Sequence, residues 1–168
     1  MSAAIDLHMA IVSVWNSQNL DSHFTSYWDS GETDLSLVLH DQMATPGQPM
    51  PYCLMDIGIP FTVNRMSCGA DTISEVRDFP IKFSVHARYK PSVSSKSPKD
   101  IASDIVEEIL KVFGGHPTVK PQALTLASGE HLITTYENDY GMRTGEDEHA
   151  WLINYRARVD IPVQALTS

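Results

Sequence analysis

Between residues 78 and 88 apolar and polar side chains alternate. Phe79, Ile81, Phe83, Val85 and Ala87 fall on one side, and Asp78, Pro80, Lys82, Ser84, His86 and Arg88 on the other. A period of two over that length is strand geometry, which a helix would scramble. Residues 151–161 repeat it: Trp151, Ile153, Tyr155, Ala157, Val159 and Ile161 alternate with Asn154, Arg156, Arg158 and Asp160. Each strand should bury one face and leave the other to water or a neighbour.

The strongest helical pattern lies between them. Ser97-Pro98-Lys99-Asp100 supplies a capping serine, a proline at the first helical position and an early acid. Ile101, Ile105, Val106, Ile109, Leu110 and Phe113 form an apolar stripe, with Asp100, Asp104, Glu107 and Glu108 largely on the exposed side. Gly114-Gly115 and Pro117 end it. A second helix is predicted over 3–17, with Ile5, Met9 and Val12, flanked by Ile11 and Trp15, as its inward face.

Shorter signals complete the pattern. A turn at 29–32 precedes a short strand at 35–39, and a proline-rich loop spans 44–51. Proline lacks a ladder donor, so the next strand begins near Tyr52; it runs to Arg65 with a bend at Gly58 or Pro60. Weaker strands at 123–127 and 131–137 flank a turn at 128–130. The predicted order is α-β-β-β-α-β-β. The predicted fold class is α+β, two amphipathic helices packed on a largely antiparallel β-sheet. One domain over 1–168 is expected, with hairpins protruding near 64–77 and 137–149.

Composition sharpens this picture through charge. The chain has 168 residues, 42% of them hydrophobic, with 12 Lys and Arg against 21 Asp and Glu, a formal charge of −9. Such apolar content opposes disorder, and the acidic balance opposes general affinity for nucleic acid. The charge is unevenly spread. Before Arg65 stand Asp6, Asp21, Asp29, Glu32, Asp34, Asp41 and Asp56, with no Lys or Arg. The 137–149 hairpin adds Glu137, Asp139, Glu146, Asp147 and Glu148 around the single base Arg143. The polar sides of the two alternating strands carry Lys82, Arg88, Arg156 and Arg158, which would make a basic sheet face if those strands are neighbours. Separated acidic and basic surfaces suit head-to-tail contacts between copies, which close into rings. The candidate interface or lumen residues are therefore Asp29, Glu32, Asp34, Lys82, Arg88, Arg143, Glu146, Asp147, Glu148, Arg156 and Arg158.

Catalytic patterns are scarce. No serine is flanked by glycines as a nucleophile elbow requires, and no glycine-rich loop leads into Lys-Ser/Thr. Glu146-Asp147-Glu148-His149 comes nearest to a metal set, and a small metal-dependent hydrolase is the alternative it supports. Adjacent residues on a strand or loop point in different directions, so a solvated hairpin tip is the preferred reading. No cofactor and no catalysis are expected. Cys53 and Cys68 are expected as free thiols, and Trp15, Trp28 and Trp151 as packing residues. The start lacks a basic signal-peptide region and no run approaches ~20 apolar residues, so cytoplasmic synthesis without membrane insertion is expected.

The layout as a whole resembles a known family. An N-terminal helix, the lead Pro49-Met50-Pro51-Tyr52-Cys53-Leu54, the alternating strand Phe79 to Ala87, the capped helix Ser97 to Phe113 and the strand Trp151 to Arg158 resemble the tail terminator and tail-completion proteins of long-tailed bacteriophages. The resemblance implies an α+β fold and a ring, usually a hexamer, at the head-proximal end of the tail. Such a ring ends polymerisation of the tail tube protein and joins the head connector. It implies a virion protein, assembled in the host cytoplasm, whose lumen lets DNA pass without specific binding. A head-completion ring of the same particle is the nearest alternative. A further one is a host-encoded accessory subunit that binds a larger partner through its acidic N-terminal segment.

Overall fold

The computed structural model describes residues 3–33, 39–41, 43–44, 46–67 and 72–164. In chain order the elements are α1 (Ala3–Ser17), α2 (Asp21–Thr25), β1 (Leu39–Asp41), β2 (Tyr52–Ile57), β3 (Phe61–Ser67), β4 (Thr72–Arg88), α3 (Pro98–Phe113), β5 (Leu124–Thr125), β6 (His131–Leu132), β7 (Thr135–Arg143) and β8 (Glu148–Gln164). The fold is α+β. β4 and β8, the two alternating stretches, are each seventeen residues long and pair antiparallel from Thr72↔Gln164 to Arg88↔Glu148. They form the centre of a sheet ordered β1-β2-β4-β8-β7, with β3 also on β4. Every pairing in it is antiparallel except β1 on β2.

The expected bend is present. β2 lies along residues 81–86 of β4 and β3 along residues 73–78 of the same edge. Residues 58–60 make the step, held by a hydrogen bond from Gly58 N–H to the Pro80 carbonyl at 2.8 Å. A Cβ at Gly58 would stand 2.8 Å from Pro80 Cγ, so this close approach requires glycine. β3 and β4 are thus the arms of a hairpin whose connecting residues, including Cys68, lie outside the described residues. Most of the strand expected at 35–39 lies outside them too; Leu39 begins β1.

The core sits between one face of the sheet and the helices. Phe79, Ile81, Phe83, Val85 and Ala87 of β4 and Ile153, Tyr155, Ala157 and Val159 of β8 are buried there. α3 covers them with Ile101, Ile105, Val106, Ile109 and Phe113. Its cap is as expected: the Ser97 hydroxyl accepts from Asp100 N–H at 3.2 Å and Pro98 opens the helix. Phe83 is the hub, with Trp15, Phe113 and Tyr155 rings at 5.1–6.1 Å. The Tyr155 hydroxyl donates to the Gly114 carbonyl at 2.9 Å, which ties the end of α3 to the sheet.

Two expectations are corrected, and one short helix is added. α1 has its predicted span, but Ile5 and Met9 are 54% and 56% exposed, and Leu7, Ala10, Ile11 and Trp15 face the core. Residues 3–15 are apolar nearly all round, so spacing alone did not select a face; the contacts of Trp15 with Phe24 and Phe83 do. α2 follows α1 after a short turn. Finally, β7 is a nine-residue strand where only a weak signal ending at 137 was predicted. Its polar, largely exposed sequence has no alternation to announce it, and the register shift between Tyr136 and Asn138 breaks the period.

Candidate functional site

The face of the sheet opposite the helices is built mostly from the even positions of β4 and β8. Lys82, Arg88, Arg156 and Arg158 do share this face, as the adjacency of the two strands requires. It is not a basic face, however. Asp78, 1% exposed, accepts from Arg158 Nε at 2.9 Å and Nη2 at 3.2 Å, and from Arg156 Nη1 at 3.4 Å. Arg156 also pairs with Glu137 and lies over the Phe61 ring, 5.3 Å from its centroid. Arg88 donates to Glu148 through Nε at 3.0 Å. Of the four bases, Lys82 alone has no ion-pair partner among the described residues; it lines a shallow cavity of about 290 Å³ with Leu54, Asp56 and Ser84.

The acid that neutralises the two arginines was missed in the sequence. Asp78 stands in the polar series of its own strand, but its meaning depends on the β4–β8 register, which places it directly opposite Arg158. The hydrogen bonds from Arg158 hold its carboxyl below the usual carboxylate range, against the opposing effect of burial.

The acidic candidates meet at one end of the sheet. Asp29 and Glu32 both pair with Lys90, just beyond β4, and Ser92 donates to Asp29. Beside Lys90, the Tyr89 N–H donates to the Asp147 carbonyl at 2.8 Å, which fixes the β7–β8 turn to the same end. Arg143 caps that turn from below, donating to the carbonyls of Gly145 at 2.9 Å and Glu146 at 3.1 Å. Asp29, Glu32, Glu146, Asp147 and Glu148 thus gather around three bases, Arg88, Lys90 and Arg143. The Glu146 and Asp147 side chains remain exposed and without an ion pair among the described residues. Asp34 lies outside the described residues.

The four consecutive residues 146–149 do not converge. Glu148 is engaged by Arg88, and His149 lies against Trp151 and Gly141, with an orphaned buried Nε2. No group of three or more His, Cys, Asp or Glu among the described residues is placed to hold a metal ion. The tryptophans pack as expected: Trp15 is buried, Trp28 donates to the Pro51 carbonyl at 3.0 Å, and Trp151 donates to Asp139 at 2.8 Å. Cys53 is a buried free thiol, its ionisation opposed by burial. No described helix is long and apolar enough to cross a membrane.

Among the described residues the sheet is open on both sides. On one side β1 and β3 have no strand beyond them among the described residues, and Ile59, Phe61 and Val63 are exposed there. On the other β7 is last in order, with Tyr140 and Met142 exposed. The sequence did not announce these surfaces, because an exposed Val or Tyr looks like a core residue until the strand order is known. A scan against protein-family models and a search of curated proteins both find no match for this chain.

Proposed function

We propose that this chain is a structural subunit of a bacteriophage neck. Copies form a ring, expected to be a hexamer, at the head-proximal end of the tail; the ring ends tail-tube polymerisation and joins the head connector. The observation that carries the reading is the distribution of surface. Among the described residues one sheet face is covered by helices, and the strands at the two sides of the sheet carry exposed apolar side chains. A subunit of an assembly can use such exposed strands as its contact surface.

The acidic end gives a second line of support. Asp29, Glu32, Glu146, Asp147 and Glu148 come from segments over a hundred residues apart, yet they occupy one end of the sheet. Carboxylates directed at a lumen repel phosphates, so duplex DNA slides through rather than sticks. On this reading Glu146 and Asp147 lie nearest the passing duplex.

Particles assembled without the protein test the role by electron microscopy. A tail terminator predicts overlong tails. Full-length tails beside heads that have lost their DNA would instead assign the chain to head completion, and normal particles would remove it from the neck.

A further inference from the structure

We infer that successive copies of this chain join edge to edge, the free edge of β7 in one copy pairing with the free edge of β3 in the next. The inference deepens the ring reading above and rests on it. It starts from strand direction. β3 is antiparallel to β4, β4 to β8, and β8 to β7, so β3 and β7 run in opposite directions. A copy placed beside the first in the same orientation therefore presents its β3 antiparallel to β7. That joint continues the sheet with its ladder alternation intact and without inverting the copy, which is the condition for a head-to-tail contact that closes into a ring. An odd number of antiparallel strands between the edges would have imposed a parallel joint or a flipped neighbour.

The two edges are also chemically matched. Neither Phe61–Ser67 nor residues 138–143 contain proline or lysine, two of the devices that guard an open edge; the bulge of β3 at Val63 leaves Asn64–Ser67 as its longer regular stretch. Val63, at the bulge between Thr62 and Asn64, is 45% exposed on one and Tyr140 48% on the other, so each edge presents an apolar side chain. Glu137, the residue at which β7 slips register, is held by Arg156, so the regular part of the edge is the stretch Asn138–Arg143. β7 lies beside residues 149–156 of β8, and β3 beside the part of β4 that faces residues 158–163. Successive copies are therefore offset along the strands, and the strands incline to the ring axis as they do in a barrel.

Two guarded variants test the joint. Val63→Lys blocks the β3 edge and Tyr140→Lys blocks the β7 edge; both positions are exposed, and circular dichroism checks that each variant folds. Light scattering should find the parent protein above monomer mass, each variant reduced to monomer, and an equal mixture of the two restored to a dimer and no larger, because only one joint can form. In a Cys68→Ser background, Val63→Cys combined with a cysteine at 138, 140 or 142 should give a ladder of disulfide-linked oligomers. A dimer from a β7 cysteine alone would replace this joint with β7–β7 pairing. Oligomers of the parent that survive both lysine variants would overturn the joint and leave the ring reading intact. A parent that stays monomeric at high concentration would also overturn it, while tail length still decides the role in the particle.

Discussion

Asp78 and Arg158 face each other across the β4–β8 register, the carboxylate almost fully buried and the guanidinium largely in water. This asymmetry makes the acid the sensitive partner. If Arg158 is removed, Arg156 still reaches Asp78; if Asp78 is removed, Arg158 loses this anion and Arg156 keeps only Glu137. Asp78→Ala should cost about 1.5–3 kcal/mol, the range for hydrogen bonds to charged groups, and Arg158→Ala less. Urea denaturation at pH 7 measures both. The sign with pH follows from the lowered carboxyl pKa in the folded state. The contribution is complete above the unfolded value of ~3.9 and is lost as pH falls through the lower folded value. The gap between the parent protein and Asp78→Asn should therefore narrow below about pH 4.

Gly115 has a φ of +100°, and a Cβ there would stand 2.7 Å from Tyr136 Cδ2 and 2.9 Å from Leu110 Cδ2. Both the backbone conformation and the space exclude a side chain. Gly115→Ala should destabilise by about 1–3 kcal/mol, visible as a lower urea midpoint with an unchanged slope.

Asp139 accepts from the Tyr136 hydroxyl at 2.6 Å and from Trp151 Nε1. That hydrogen bond, with burial, pushes the Tyr136 phenol up to about 12. Spectrophotometric titration of Asp139→Asn should show one tyrosine returning toward the ordinary value of ~10. A raised folded pKa contributes stability below ~10 that is lost as the pH rises through the folded value. The variant should accordingly lose less stability than the parent between pH 10 and 12.

Cys53 is fully buried, and its thiolate is disfavoured by that burial. In a Cys68→Ser protein, a thiol reagent should label nothing until denaturant unfolds the chain. The reaction rate then reports opening of the β2–β4 pairing.

Much of the fold was legible because local rules and tertiary packing agree. The alternation in β4 and β8, the Ser97 cap and the proline block before Tyr52 each carry their own physical cause. The bend at residues 58–60 was legible for the same reason. What was not legible depends on partners distant in sequence. The buried face of α1 was set by Phe24 and Phe83, β7 by its ladder on β8, and the neutrality of the sheet's outer face by the register that puts Asp78 opposite Arg158. The candidate residues were mostly found as charges, but their grouping was not. Among the described residues Lys90 and Tyr89, neither chosen from sequence, bring the N-terminal acids and the hairpin turn to one end.

Glu146 and Asp147 allow that acidic end to be tested apart from assembly. Their side chains are exposed at a turn stabilised by Arg143 through backbone carbonyls, so replacing them leaves the turn's own hydrogen bonds in place. Glu146→Lys with Asp147→Lys should change folding stability by no more than about 0.5 kcal/mol. Each reversal removes a negative charge and adds a positive one at the surface proposed to face DNA. The double variant should retard duplex DNA in a gel at low salt, and the retardation should vanish as salt rises, as counterion release requires. The parent protein, with its formal charge of −9, should not retard the duplex under either condition. Retardation by the parent equal to that of the variant would mean that these carboxylates do not keep DNA off the protein, and the lumen would have to be sought on another surface.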